Sequence, residues 1–105
     1  MRVLRTRKIC GVAYEVCEIS SKDVRPRGMT RQDEGYCDSF NCRIYVVEAP
    51  AARQKELQRH EVCHAIYYES AAKYHAQKSP SDDTEETLVR CLTIALATSE
   101  IGDLL

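Results

Sequence analysis

Several features are missing from this 105-residue chain, and each absence excludes a class of protein. No apolar run approaches the roughly 18 residues that a membrane-spanning helix needs. The opening segment MRVLRTRK is too charged to contain the apolar core of a signal peptide, so we expect a cytosolic protein. No long tract of glycine, proline or serine argues for disorder. We therefore expect one compact domain spanning residues 1–105.

The six cysteines are not expected to form a disulfide framework, because thiols of a cytosolic protein are kept reduced. Four of them lie among apolar residues of the sequence and are expected to act as small buried side chains. These are Cys10, Cys17, Cys63 and Cys91.

The net charge of −1 hides a basic first third, which begins with a basic N-terminal segment at residues 1–8. A solvated basic tail accounts for this segment without any partner. A nucleic-acid interface is the alternative, and it predicts binding that weakens with salt and ignores chelators. No aromatic side chains are interleaved with the charges, as a single-strand binder would require. We therefore predict that neither nucleic acid nor a membrane is a partner.

Apolar alternation over residues 11–19 predicts a β-strand. Residues 20–34 carry charges, a proline and a glycine without apolar periodicity, and this composition predicts a long surface loop. Residues 35–47 resemble a β-hairpin, with a turn rich in Asp, Ser and Asn at 38–41. We expect the strand at 42–47 to form an edge of a small antiparallel sheet, where an extended peptide could add.

Cys37 and Cys42 flank this turn and are expected to face each other, close enough to bridge under oxidation. A Cys-x4-Cys metal knuckle is the sharper alternative for the same pair. The chain has no second cysteine pair to complete four ligands, which argues against the knuckle.

Pro50 is suited to the first turn of a helix, and residues 51–72 contain no further proline and no glycine. The sequence predicts a long helix there. A break at residues 79–83 precedes a predicted last helix, which ends at Gly102. Its apolar residues have helical spacing: Leu88, Val89, Leu92, Ala95 and Leu96.

The long helix contains the sequence His60-Glu61-Val62-Cys63-His64. Histidines four residues apart project from one helical face, so both imidazoles can reach one ion. Catalytic zinc needs three protein ligands and one open position, where it lowers the pKa of a bound water to about 7. Glu61 is placed to take the proton of that water. A pair of solvated surface histidines is the simpler interpretation of the motif.

A third ligand must come from elsewhere, and the last helix begins with two glutamates, Glu85 and Glu86. One of them could complete a set of two histidines and one glutamate. Acidic residues are also favourable near any helix N-terminus, which explains them without a metal. Tyr67, Tyr68 and Tyr74 could stabilise an oxyanion, although helical tyrosines usually pack with a solvated hydroxyl.

Together these segments, from the strand GVAYEV through HEVCHAI to ETLVR, resemble the short phage and prophage metallopeptidase-like proteins of the gluzincin group, related to ImmA/IrrE-type peptidases. The resemblance covers roughly residues 9–97. It implies a minimal zincin-like α+β domain, with the sheet packed on the active-site helix and a C-terminal ligand helix. It also implies zinc (Zn2+) held by His60, His64 and a glutamate three residues before an aliphatic position. Glu86 stands three before Val89 and is therefore the expected third ligand, whereas aligning the aliphatic position with Leu88 would select Glu85.

We therefore expect a cytoplasmic zinc metallopeptidase that cleaves a peptide or protein substrate, with Glu61 as general base. The alternative is a non-catalytic zinc-binding phage or prophage protein that acts through protein interaction. The small size of the chain supports this alternative, because little remains beyond the core and the metal site to position a peptide.

Overall fold

The computed structural model describes residues 1–69, Glu86 and Val89. In chain order these residues form β1 (Arg2–Ile9), β2 (Val12–Ile19), β3 (Gly35–Asp38), β4 (Arg43–Val47) and α1 (Ala51–Tyr67). The four strands make one sheet in the order β1-β2-β4-β3, and α1 packs mainly against β3 and β4. The predicted α+β class is confirmed. Glu86 and Val89 have helical backbone, and the rest of the predicted last helix lies outside the described residues.

The N-terminal segment, expected as a solvated basic tail, instead forms β1. It pairs antiparallel with β2 through a two-residue turn at Cys10 and Gly11. Both turn residues have positive φ, 51° and 83°, as in the tight turns whose twist matches that of the flanking strands. Only Leu4 and Ile9 of β1 reach the core, because an edge strand needs few buried side chains. Cys10 is exposed at this turn, so its predicted burial is wrong.

The sequence predicted an antiparallel sheet, but the observed sheet is mixed. β3 and β4 form the expected antiparallel hairpin, but β4 lies beside β2 and runs parallel to it, with Val16 opposite Ile44. The loop at residues 20–34 makes this possible, because it carries the chain past the position of β4 before β3 begins. A parallel pair needs such a long connection.

Each face of the sheet carries a buried cluster, because successive strand residues point to opposite sides. The cluster beneath α1 is the larger one and includes Tyr14, Val16, Ile44, Val46, Leu57, Val62 and Ala65. The smaller cluster on the other face contains Cys17, Ile19, Met29 and Tyr45. Met29 belongs to the long loop, which therefore covers the sheet face opposite α1.

The β3–β4 turn has the predicted Asp and Asn chemistry. The Asn41 backbone N–H and side-chain amide both donate to the Asp38 carboxylate, at 3.1 and 2.8 Å. Asp38 is opposite Arg43 in the register, and Cys37 is opposite Ile44. Cys37 and Cys42 are therefore not cross-strand partners, and the expectation that they face each other is wrong. Both are free thiols, as are the buried Cys17 and Cys63.

Helix α1 begins after Pro50, as predicted, and ends at Tyr67; residues 70–72 of the predicted helix lie outside the described residues. Gln54 is a buried polar residue on its first turns. Its amide nitrogen donates to the Val47 carbonyl at 2.7 Å and to the Glu18 carboxylate at 3.0 Å. These two hydrogen bonds thus connect the start of α1 to β2 and β4. Within the described part of the chain, no helix combines the length and apolar character needed to cross a membrane.

Replacing Gln54 with alanine is expected to lower the free energy of unfolding by about 1–3 kcal/mol, because a buried carbonyl and a carboxylate lose their donor. Gln58→Ala is the matched control. Gln58 donates only one longer bond, of 3.3 Å to the Gln54 side chain, so its loss should cost less than half as much. Urea denaturation of the two variants measures the difference, and equal losses would contradict the role of Gln54.

Candidate metal centre

His60 and His64 lie one turn apart on α1 and project into the same groove. Their ring centroids are 5.0 Å apart, and the ring planes meet at 71°. Both side chains are mostly buried, with 24% and 18% of their surface exposed. The predicted pairing of the two imidazoles on one helical face is therefore present in the structure.

The carboxylate of Glu86 lies between the two imidazoles. Its Oε1 is 3.0 Å from His60 Nε2, and its Oε2 is 3.0 Å from His64 Nε2. One ligand atom from each of the three residues lies within 4.8 Å of the others. Atoms that bind one zinc ion at about 2.0–2.2 Å must lie within about 4.4 Å of each other, a spacing close to this arrangement. These three side chains could hold a metal ion.

The sequence also contains other candidate ligands. Glu85, the other candidate for third ligand, lies outside the described residues. Cys63 stands between the histidines in sequence, but it is buried in the core, and among the described residues it belongs to no candidate metal-binding group. In the part of the chain that the structure describes, Cys37 and Cys42 also join no such group.

Glu61 does not join the ligand cluster, because it points toward the sheet. It lies on the helical face of Leu57 and Ala65, which are core residues, and only 6% of its surface is exposed. Burial, then the nearby Glu86 and Asp33 carboxylates, raise the pKa of Glu61 to about 8. The structure thus places a buried carboxyl group next to the first histidine.

A groove of about 860 Å³ contains this cluster. One wall is α1, and the other is β3 with the last residues of the loop before it. Tyr68 lines the groove one turn after His64. Tyr67 does not line it, and Tyr74 lies outside the described residues. Of the three candidate tyrosines, the structure therefore brings Tyr68 to the site.

A buried hydrogen bond holds the chain directly after Tyr68. The Tyr14 hydroxyl on β2 donates to Glu69 Oε1 at 2.7 Å, and both side chains are buried. Burial, followed by the bond to Glu69, raises the pKa of the Tyr14 hydroxyl, which therefore remains protonated as the donor. The sequence contained no signal for this contact, because 55 residues separate its partners.

Gly35 and Arg53 are further groove residues that sequence reasoning missed. Gly35 begins β3 and lies against the Glu61 side chain. Arg53 on α1 bridges Glu34 and Glu56, both at 2.9 Å. The Gly35–Glu61 contact and the Arg53–Glu34 pair join segments that are distant in sequence, so no motif indicated them; Arg53–Glu56 is a local i,i+3 pair.

Comparison with protein-family models, curated proteins and solved structures found no match for this chain.

Proposed function

We propose that this protein is a zinc-dependent peptidase whose metal ligands are His60, His64 and Glu86. The observation that carries the proposal is the convergence of these three side chains in one groove, beside the buried carboxyl of Glu61. Two imidazoles and one carboxylate are a donor set of catalytic zinc sites, which keep a fourth position open. When bound, zinc would polarise the scissile carbonyl and acidify a water molecule.

Glu61 is the general base in this proposal. It takes the proton of the attacking water and returns it to the leaving amine. Its place on the core face of α1 keeps it out of the ligand cluster while leaving it in the same groove. Tyr68, on the other side of His64, is the group best placed to donate a hydrogen bond to a developing oxyanion.

The substrate in this proposal is a peptide that lies along β3. The earlier expectation that the strand at 42–47 forms the edge is wrong, because β4 is paired on both sides. β3 is one of the two outer strands of the described sheet and also a wall of the groove. The Val47 N–H donates to the Glu34 carbonyl at 2.9 Å. In an antiparallel ladder, hydrogen-bonded pairs alternate with non-hydrogen-bonded pairs, so the N–H and C=O groups of the next residue, Gly35, point away from β4. An extended peptide can add to a strand edge of this kind.

The proposal also retains the resemblance to gluzincin-type phage and prophage proteins and their cytoplasmic location. What supports it is the order of parts: a strand, a hairpin, a helix with both histidines and a glutamate from a later helical residue. The alternative of a non-catalytic zinc protein makes a different prediction, namely full zinc occupancy without peptide cleavage.

Metal removal tests the proposal. The purified chain is incubated with a pool of quenched-fluorescence peptides, before and after treatment with 1,10-phenanthroline. We expect chelation to reduce the rate by more than about 100-fold, because the metal supplies several kcal/mol of transition-state stabilisation. Added zinc should restore the rate. Hydrolysis that persists in the chelated protein would overturn the proposal, and zinc binding without any hydrolysis would favour the non-catalytic alternative.

A further inference from the structure

We propose that Gly35 is a positioning residue, and that its missing side chain makes the space in which the carboxylate of Glu61 is held. This inference rests on the proposed function, since it gives Glu61 the part of general base. It assigns a role to a residue that carries no chemistry of its own.

The contact between the two residues is close. A Cβ atom added to Gly35 would lie 2.7 Å from Glu61 Oε2, 2.9 Å from its Cγ and 3.0 Å from its Cδ. Ordinary van der Waals contact begins at 3.4 Å, so Oε2 would have to retreat by about 0.7 Å. The Cγ and Cδ atoms of Glu61, as well as its Oε2, therefore lie where a side chain at Gly35 would be.

The backbone of Gly35 is fixed relative to the sheet. Gly35 is opposite Val46 in the β3–β4 ladder, and the preceding Glu34 carbonyl accepts the Val47 N–H at 2.9 Å. Val46 is completely buried in the core beneath α1. Moving β3 away to accommodate a methyl group would therefore disturb this ladder and the packing of α1.

Glu61 is the part that must move instead. Its neighbours along the same helical face, Leu57 and Ala65, are buried in the core and hold this face of α1 against the sheet. A methyl group at Gly35 would push the carboxylate off its position while leaving the imidazoles on their own face of α1. A misplacement near 1 Å is enough to cost about 100-fold in rate. The change should therefore act on the chemical step and spare metal binding.

The first arm of the test measures hydrolysis of the peptide pool and zinc content for Gly35→Ala. We expect kcat to fall by about 10- to 100-fold, KM to stay within twofold, and one zinc per chain to remain. The control is Gly11→Ala: its Cβ would meet nothing within 4 Å, but its φ of 83° makes the substitution strained. Gly11→Ala should lose stability and retain kcat. An undiminished kcat in Gly35→Ala, or loss of its zinc, would overturn the inference.

The second arm needs no activity. Thermal unfolding is compared for Gly35→Ala alone and in the Glu61→Ala background. If the added methyl group collides with Glu61, the drop in Tm, roughly 5 °C, should shrink by at least half when the Glu61 side chain is absent. Equal drops in both backgrounds would overturn the inference. If the wild-type chain cleaves no peptide, the proposed function fails, while this arm still decides whether Gly35 holds Glu61.

Discussion

Replacing Glu61 with glutamine is expected to reduce peptide hydrolysis by about 10²- to 10⁴-fold, the usual contribution of general acid–base catalysis. Glutamine has nearly the same shape but cannot accept the proton of the attacking water. It should therefore keep the packing against Gly35 while removing the proposed base. Because Glu61 lies outside the ligand cluster, one zinc per chain should remain bound. Steady-state kinetics on the peptide pool, together with metal analysis of the same samples, measures both effects.

Glu56→Gln is the matched control for this experiment. Glu56 is a glutamate on the same helix and also lines the groove, but it is exposed and forms an ion pair with Arg53. Such surface pairs contribute at most about 1 kcal/mol, so this variant should keep its stability and its rate. Unchanged proteolysis in Glu61→Gln would remove Glu61 from the mechanism. An equal loss in both variants would point to the charge of the groove rather than to proton transfer.

The double variant His60→Ala, His64→Ala is expected to lose its metal altogether. Even changes to residues behind metal ligands cost about 10- to 100-fold in affinity, so removal of two ligands should leave no zinc after dialysis. Wild-type protein purified without chelator should contain one zinc per chain. Zinc at 100 times its dissociation constant should also stabilise the wild type by about 2.7 kcal/mol and leave the double variant unaffected.

His75→Ala is the control, since His75 is the third histidine of the chain and lies outside the motif. Its zinc content should equal that of the wild type. The zinc content of Glu86→Gln should lie between that of the wild type and that of the double variant, because both histidines remain. A wild-type chain without metal would reduce the motif to coincidence, and zinc retained in the double variant would place the ligands elsewhere.

The parts of the fold that the sequence predicted correctly are those determined by neighbouring residues. Strand β2 follows from alternation, the β3–β4 hairpin from its turn residues, and α1 from Pro50 and an uninterrupted run of helix formers. The parts that it missed depend on pairing between distant segments. β1 has too few buried residues to show alternation, and the parallel pairing of β2 with β4 leaves no local pattern.

For the candidate site, too, the sequence predicted the features that depend on neighbouring residues and missed those that depend on distant ones. The HExxH motif identified His60, Glu61 and His64, because helical periodicity alone puts both imidazoles on one face. Local sequence alone left Glu85 and Glu86 open, and the resemblance favoured Glu86, whose carboxylate lies 3.0 Å from both imidazoles. The sequence did not indicate Gly35, because its proposed role depends on the absence of a side chain beside Glu61.

The order of the strands along the chain has a consequence for how the protein folds. Gly35, Glu61 and both histidines belong to one contiguous segment, in which a hairpin is followed directly by the helix that packs on it. Contacts between elements so close in sequence need little loop closure and form early. The β1–β2 hairpin is a second local unit, and it joins the first through the parallel pairing of β2 with β4. The nascent chain can thus bring Gly35 and Glu61, the proposed general base, together before Glu86, synthesised later, completes the proposed ligand set.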